Sequence, residues 1–268
     1  MRNLIVGLAW LSPLVPIVLW PHTRIWGFVI MALMHALWLY PTLSANVQWF
    51  GPVVTKFSTG GRELWLTIDD GPADDTLQII ELLASRSVRA TFFLKGVLAE
   101  ARPELLRAIV DAGHTIGNHS YTHPSATFWC LPAPWIEEEI DRCNAILGPV
   151  RYFRAPVGMK NPAVHPALAK RDMRLIGWTA RGFDSVTADA ERVAARIVPR
   201  VEPGAIVVMH QGLPQSLQCI ERIVDELQRE GYAFVVPEDD RLASLRSAVP
   251  WHRLQGGGEP PHSKGSTA

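Results

Sequence analysis

Leu66-Thr67-Ile68-Asp69-Asp70-Gly71-Pro72 decides the fold and the chemistry of this chain, because an apolar strand pattern ends there in two adjacent carboxylates. Side chains alternate along a strand, so Asp69 and Asp70 would face opposite sides. A Gly71-Pro72 turn at the strand end lets both reach one pocket. Two unpaired carboxylates beside a buried strand are costly. The stretch therefore predicts a cation between them, a divalent metal together with a basic side chain.

Two histidines further along the chain are candidate metal ligands. They lie four residues apart in Gly117-Asn118-His119-Ser120-Tyr121-Thr122-His123-Pro124. Two imidazoles and one carboxylate leave a coordination position open for water, which is typical of catalytic rather than structural zinc. Taken alone, each histidine could equally cap a strand or a turn. The neighbouring Asp69-Asp70 pair favours the metal site.

Further apolar strands also end in ionisable groups. Tyr152-Phe153-Arg154-Ala155-Pro156-Val157-Gly158 presents a guanidinium at its turn, and Ala205–His210 ends in a histidine. Strands that deliver ionisable groups at their carboxyl ends describe the catalytic face of a βα barrel. The alternation of strands with helical segments predicts an α/β fold with a parallel, closed sheet. The predicted strands are Leu64–Ile68, Ala90–Leu94, Thr115–Gly117, Tyr152–Arg154, Leu175–Trp178, Ile206–Met209 and Ala233–Val236.

The motifs, taken in order, resemble those of the polysaccharide deacetylases, which are carbohydrate esterase family 4 and carry the NodB-homology domain. The resemblance rests on Thr67–Pro72, His119–His123, Arg154–Gly158, Asp184 and His210. It implies a distorted seven-stranded (β/α)7, TIM-like barrel. It also implies a metal-dependent hydrolysis that removes an acyl group from a sugar nitrogen.

Residue roles follow from this resemblance, position by position. They are Asp70, His119 and His123 as metal ligands, Asp69 as general base, His210 as general acid, Arg154 as the residue that orients Asp69, Asp184 as the carboxylate that tunes His210, and Pro156 and Val157 as substrate-binding residues. The donor set favours Zn²⁺, with Co²⁺, Ni²⁺ and Mn²⁺ as alternatives. The backbone N–H of Val157 is expected to help stabilise the oxyanion.

Three positions depart from the family pattern. Ser185 follows Asp184 where tryptophan is usual, Val157 stands where an aromatic residue is frequent, and Gln211 replaces an acid after the final histidine. None of these changes removes a group that performs chemistry. They alter the walls of the pocket and therefore the shape of the substrate it accepts.

The amino terminus predicts a membrane segment. Within residues 1–55 the only charged side chains are Arg2 and Arg24, and the apolar runs Leu4–Trp20 and Ile25–Leu43 each approach the roughly 17–25 residues that cross a bilayer. We expect a transmembrane helical hairpin. The alternatives are a soluble apolar subdomain or, because prolines interrupt the first run, a re-entrant segment.

Domain limits and location follow from this reading. Residues 56–245 are expected to form the catalytic domain, and residues 246–268, rich in Gly, Pro and Ser, a disordered tail. Basic residues are slightly more frequent at the outer ends of the two apolar runs than in the turn between them, at Arg24. This distribution favours a bacterial-type inner-membrane protein whose catalytic domain lies in the cytoplasm. The 26 basic and 26 acidic residues balance, so nothing indicates a nucleic-acid partner.

The apolar loop Phe128–Trp135 indicates the kind of substrate. Trp129 and Trp135 could form a buried corner or a hydrophobic lip that faces a sugar ring or the membrane. With the membrane anchor, the lip favours a lipid-linked or glycolipid amino sugar as partner. The expected activity is deacetylation of an N-acylated glycan or glycolipid. The alternatives are a deformylase of a polyprenyl-phosphate-linked amino sugar, an O-deacetylase, and a catalytically silent, membrane-bound sugar-binding protein.

Overall fold

A computed structural model describes residues 1–19 and 24–242, so the predicted tail lies outside the described residues. The helices are α1 (Arg2–Leu11), α2 (Leu14–Leu19), α3 (Arg24–Leu43), α4 (Thr76–Ser85), α5 (Gly96–Ala101), α6 (Pro103–Asp111), α7 (Ala133–Leu147), α8 (Val164–Ala169), α9 (Ala190–Ile197) and α10 (Ser216–Arg229). The strands are β1 (Glu63–Gly71), β2 (Ala90–Leu94), β3 (Thr115–Asn118), β4 (Tyr152–Phe153), β5 (Arg174–Leu175), β6 (Ala180–Arg181), β7 (Ala205–His210) and β8 (Ala233–Phe234).

The strands form one parallel sheet in the order β5-β4-β3-β2-β1-β7-β6, with β8 added beside β1. The long strand β1 is buried on both faces. Leu64, Leu66 and Ile68 pack beneath the surrounding helices, in a cluster with residues of α4, α9 and α10. Side chains alternate along a strand, so Trp65 joins the separate inner cluster, which includes Phe93. The inner face continues to Asp69, which lines a cavity at the end of β1.

The closed barrel predicted from the sequence is not formed in the part of the chain that the structure describes. The end strands β5 and β6 do not pair, and the sheet is a curled half-barrel. Both strands have only two residues, too few for a closing ladder. The segment before β1 lies in the gap instead: Val54 N–H donates to Leu175 O at 2.9 Å, and Phe57 N–H donates to Gly204 O at 2.9 Å.

The amino-terminal helices differ from the predicted hairpin of two spanning helices. The first run forms the two short helices α1 and α2, because the chain turns at Ser12 and Pro13 and proline cannot donate a helical hydrogen bond. Only α3, among the described residues, is long and apolar enough to cross a membrane. Both short helices pack against α3, and Ser12 Oγ lies 3.3 Å from His35 Nδ1.

The carboxyl end of α3 is fixed to the edge of the catalytic domain by Lys160. This side chain is completely buried, and its Nζ donates to Ser44 O at 2.6 Å and to Ala45 O at 2.8 Å. A lysine at the end of a helix satisfies carbonyls that have no partner within the helix. Ala45 also packs against Gly158, where an added Cβ would come within 2.6 Å of the Ala45 Cβ. The segment that directly follows α3 is therefore in contact with the Arg154–Gly158 motif.

Candidate active site

The end of β1 turns two consecutive carboxylates toward one cavity. The ladder with β2 shifts register between Asp69 and Gly71, and Asp70 adopts a φ of 76°. A bulge with a residue in the left-handed region reverses the usual alternation of side chains. Such a conformation costs a non-glycine residue about 1–3 kcal/mol and is concentrated at functional sites. Both carboxylates consequently line the same cavity.

The histidine segment after β3 is held by the side chain of Asn118. Its Oδ1 accepts from Ser120 N–H at 2.7 Å, and its Nδ2 donates to Ile140 O at 3.0 Å. Ser120 and His123 both have positive φ, at 64° and 55°. Ser120 Oγ in turn accepts from His123 N–H at 3.0 Å. These hydrogen bonds fix the turn that brings both imidazoles to the end of β1.

Asp70, His119 and His123 form a group of potential metal ligands. Their ligand atoms lie within 4.8 Å of one another. Asp70 Oδ1 is 3.7 Å from His119 Nε2 and 3.5 Å from His123 Nε2. His119 Nδ1 lies 2.8 Å from Arg154 O, and a carbonyl can only accept, so this nitrogen carries the proton. The Nε2 lone pair of His119 is then available to a metal.

The protonation states of this triad suit a cation. Burial lowers the pKa of His119 and lowers that of His123 to about 3, so both imidazoles are neutral at pH 7. Burial opposes ionisation of Asp70, but its interactions with His119, Lys95 and His123 outweigh it and lower the pKa to about 2. A carboxylate and two neutral imidazoles are the forms that bind metal.

One oxygen of Asp70 supports a fit between the triad and a metal. Asp70 Oδ1 is buried and has no hydrogen-bond partner. Lys95 Nζ lies 2.9 Å away as an ion pair but without hydrogen-bond geometry. A buried oxygen without a hydrogen bond is rare in proteins. The residues present fit a divalent ion held by one carboxylate and two imidazoles.

Asp69 is paired with the buried guanidinium of Arg154. Arg154 Nη1 donates to Asp69 Oδ1 and to Thr67 Oγ1, both at 2.7 Å, and its Nη2 donates to the carbonyl of Gly177 at 2.8 Å. The ring of Phe93 lies 4.3 Å from the guanidinium carbon. Burial lowers the pKa of Arg154, and the neighbouring Asp69 counteracts this effect. The arrangement keeps one oxygen of Asp69 engaged and leaves Oδ2 directed toward His119, 3.8 Å from its Nε2.

His210 and Asp184 form a second buried pair. His210 Nδ1 lies 2.9 Å from Asp184 Oδ1, and the backbone N–H of His210 donates to Asp184 Oδ2 at 2.7 Å. Burial works against the imidazolium, but the hydrogen bond and charge of Asp184 outweigh it and raise the pKa of His210. The raised pKa favours a protonated ring, and His210 approaches the cavity from β7, on the other side of β1 from β3 and its histidine segment.

The cavity has a volume of about 90 Å³. It is lined by Asp69, Asp70, His119, His123, Val157, Gly158, Trp178, Arg181, Ser185, Val208 and His210. Val157 has a φ of 49° and is 43% exposed at the rim, whereas the adjacent Pro156 is buried.

The two tryptophans expected at the substrate lie outside this cavity. Trp129 packs against Trp38 of α3, with ring centroids 6.2 Å apart. Trp135 is 62% exposed at the start of α7. The contact with Trp38 means that the apolar loop and the apolar helix share one surface.

Several cavity residues were missed by the sequence reasoning. Trp178, Arg181 and Val208 line the cavity and Lys95 lies beside Asp70, but none of the four was predicted as a site residue. Lys95 directly follows the predicted strand Ala90–Leu94, so its position at a strand end was an available signal. His114 and His165, expected to be ordinary surface or turn residues, are buried instead and do not line the cavity.

Comparisons with known proteins agree with this geometry. The polysaccharide deacetylase family model matches residues 56–176. The chitooligosaccharide deacetylase of Bradyrhizobium sp. (strain ANU 289) is 30% identical over 194 residues, which are 65% of this chain and 88% of that protein. The chain belongs to the polysaccharide deacetylase family, hydrolases that act on amide carbon–nitrogen bonds, and the predicted resemblance is confirmed.

Solved structures share the half-barrel. A family 4 carbohydrate esterase from Streptomyces lividans in complex with acetate has a TM-score of 0.63 at 30% identity, covering 70% of this chain and 98% of that one. A family 4 pseudoenzyme from Bacillus anthracis has a TM-score of 0.62 at 27% identity, covering 67% and 65%. The fold is thus compatible with active and with silent members.

Proposed function

We propose that this protein is a metal-dependent deacetylase that hydrolyses the N-acetyl group of an amino sugar in a glycan or glycolipid at a membrane. One observation carries the proposal. The Asp69–Arg154 pair, the metal-ligand triad and the Asp184–His210 pair surround a single cavity. The relative from Bradyrhizobium is named for deacetylation of chitooligosaccharides, which supports an N-acetylated sugar as substrate.

Asp70, His119 and His123 would hold a divalent metal, which would supply Lewis-acid polarisation of the amide carbonyl and would lower the pKa of water. Asp69 acts as general base and takes a proton from the attacking water. Arg154 orients Asp69 by binding its Oδ1, so that Oδ2 is available to accept that proton. The buried pair keeps this carboxylate in one orientation without bulk water.

The remaining steps use the opposite walls of the cavity. The backbone N–H of Val157 is assigned to the oxyanion that forms on the acyl carbonyl. His210 in its protonated form then donates to the departing sugar amine, which must leave as a neutral amine. Asp184 fixes the imidazole ring and favours its charged form. Base and acid are therefore separate residues on the adjacent strands β1 and β7.

The membrane part of the proposal rests on the amino-terminal segment. Residues 1–55 are proposed as a membrane unit in which α3 spans the bilayer and the broken helices α1 and α2 pack against it. Residues 56–245 are proposed as the catalytic domain, in the cytoplasm at a bacterial-type inner membrane. The exposed apolar faces of α3 and the contact of Trp129 with Trp38 support a lipid-linked amino sugar as substrate. Zn²⁺ is the proposed ion.

The experiment is acetate release by the zinc-loaded, full-length protein in detergent. N,N′-diacetylchitobiose and a lipid-linked N-acetylglucosamine are the probes, and mass spectrometry of the products identifies the loss of an acetyl or a formyl group. We expect acetyl loss from both, faster from the lipid-linked sugar. Loss of formyl alone from an N-formylated analogue would favour the deformylase. No release from any N-acylated sugar would contradict the proposed activity.

A catalytically silent sugar-binding protein is the second candidate, because the Bacillus anthracis structure is that of a family 4 pseudoenzyme. The side chains assigned to chemistry are all retained here, which supports the enzyme. Chelator-sensitive turnover separates the two, since a silent protein would bind sugar with no acetate release.

A further inference from the structure

Arg181, the last residue of β6, is the one cavity-lining residue with a fixed positive charge among the described residues. Its position follows from the sheet, because Arg181 pairs with Val208 of β7, two residues before His210. None of the motifs recognised in the sequence contains it. The catalytic mechanism proposed above gives it no role.

Among the described residues, the guanidinium of Arg181 has no hydrogen-bonding or ion-pair partner. It forms no ion pair or side-chain hydrogen bond with any residue in 1–19 or 24–242, and its Nε is buried without a partner. Leaving such a buried donor unpaired is unfavourable. The other cations around the cavity are neutralised, Arg154 by Asp69 and Lys95 by Asp70. Arg181 is therefore available to a ligand.

Aromatic rings hold this guanidinium in place. Its central carbon lies 5.5 Å from the ring centroid of Trp178 and 4.6 Å from that of Phe183. Arg196 Nη1 fixes the loop that carries Phe183, through hydrogen bonds to Gly182 O and Thr187 Oγ1. A guanidinium stacked on aromatic faces keeps its N–H groups free for a planar, bidentate contact with a carboxylate or phosphate.

Arg181 is placed to contact the sugar part of the substrate rather than its acyl group. The triad lies on the β1 and β3 side of the cavity, whereas β6 lies beyond β7, two strand spacings from β1 or roughly 10 Å. His210 on β7 faces the amine that leaves with the sugar. Arg181 is thus beside the sugar, and the acetate product forms near the triad.

We propose that Arg181 forms an anion-binding subsite that recognises a phosphate or carboxylate carried by the amino-sugar substrate. The inference rests on the proposed function and deepens it by naming a substrate class. The rim beside Arg181 is apolar, with Phe183 44% and Val186 81% exposed. An acidic group next to an apolar rim fits a sugar that carries its anion close to a hydrophobic moiety.

The test compares matched substrates in the zinc-loaded, full-length protein. The probes are N-acetylglucosamine 1-phosphate, a disaccharide of N-acetylglucosamine with glucuronic acid, and the neutral methyl N-acetylglucosaminide. We expect kcat/KM to be at least tenfold higher for one of the anionic probes. Arg181→Gln should abolish that preference by lowering kcat/KM at least tenfold more for the preferred anionic probe than for the neutral probe, and Arg181→Lys should keep part of it. The preferred probe identifies phosphate or carboxylate as the source of the anion.

The control is Arg107→Gln, which removes the same charge from an exposed residue outside the cavity and should change nothing. Binding of glucose 1-phosphate by calorimetry gives a readout without turnover. Weaker binding of glucose 1-phosphate by Arg181→Gln than by the wild type supports the subsite even if no acetate is released. The absence of acetate release would contradict only the proposed function. Equal binding by the two proteins, no preference for either anionic probe, or equal losses on charged and neutral probes would overturn the subsite.

Discussion

Asp69 and Asp70 show why adjacent residues can have different roles. Asp69 continues the inner face of β1 and meets Arg154, whereas the positive φ of Asp70 turns its carboxylate toward the two histidines. The sequence placed both acids in one pocket through the Gly-Pro turn, but a bulge within the strand achieves it. The hydrogen bond from His119 to Arg154 O then links the proposed metal triad to Arg154, which binds the proposed base Asp69.

His210 gives a prediction of pH dependence. Asp184 raises the pKa of His210, so the protonated acid persists to higher pH. Asp184→Asn should lower that pKa, move the alkaline limb of the kcat/KM profile to lower pH, and reduce kcat/KM more at pH 8 than at pH 6. A general acid contributes about 10²–10⁴-fold, so at pH 8 we expect a loss within that range.

A stability measurement checks the same pair without turnover. Because the pKa of His210 is raised in the folded protein, the stabilisation is complete below its unfolded value of about 6.5 and is lost as pH rises through the folded value. The difference in free energy of unfolding between wild type and Asp184→Asn should therefore be largest at acidic pH. A difference that grows with pH would contradict the assigned charge state.

At the scale of elements, the longest patterns were the easiest to predict. The strand Ala90–Leu94 has the predicted bounds, since it is apolar throughout and ends at a lysine and a glycine. Strand β6 was missed because two residues carry no alternating pattern, and with it Arg181 was missed. The six-residue α5 was also missed, since it directly follows β2. The prediction of a closed barrel was wrong because the short strands β5 and β6 do not pair with each other. The segment before β1 forms hydrogen bonds in the gap instead.

Lys160 gives a prediction for the junction between α3 and the catalytic domain. Lys160→Met should leave the carbonyls of Ser44 and Ala45 without their donor and lower the free energy of unfolding in detergent by about 1–3 kcal/mol. Lys170→Met is the matched control, because Lys170 is an exposed partner of Glu137 and such pairs contribute about 0–1 kcal/mol.

The pH dependence of the Lys160 effect has a defined sign. Burial lowers the pKa of Lys160 to about 7, whereas an unfolded lysine has a value of about 10.4. The unfolded chain binds more protons between these values, so stability should rise with pH across that window. This rise should be smaller in Lys160→Met. Identical pH profiles for the two proteins would refute the lowered pKa of Lys160.

At the scale of the whole molecule, the side of the membrane is tested by Cys130. It is exposed on the catalytic domain, whereas Cys143 and Cys219 are buried. With a cytoplasmic domain, a maleimide that cannot cross membranes should label Cys130 only after spheroplasts are permeabilised. Cys130→Ser should remove the label and serve as the control. Labelling of intact spheroplasts would place the domain outside.

The central claim is that these residues from distant parts of the chain hold one hydrolytic metal. The most direct measurement is elemental analysis of purified, folded protein together with turnover of N,N′-diacetylchitobiose. The account predicts one divalent ion per wild-type chain, none in Asp70→Ala, and a retained ion with nearly all turnover lost in Asp69→Asn. Folded wild-type protein that takes up no ion, or an Asp69→Asn variant with near-normal turnover, would contradict it.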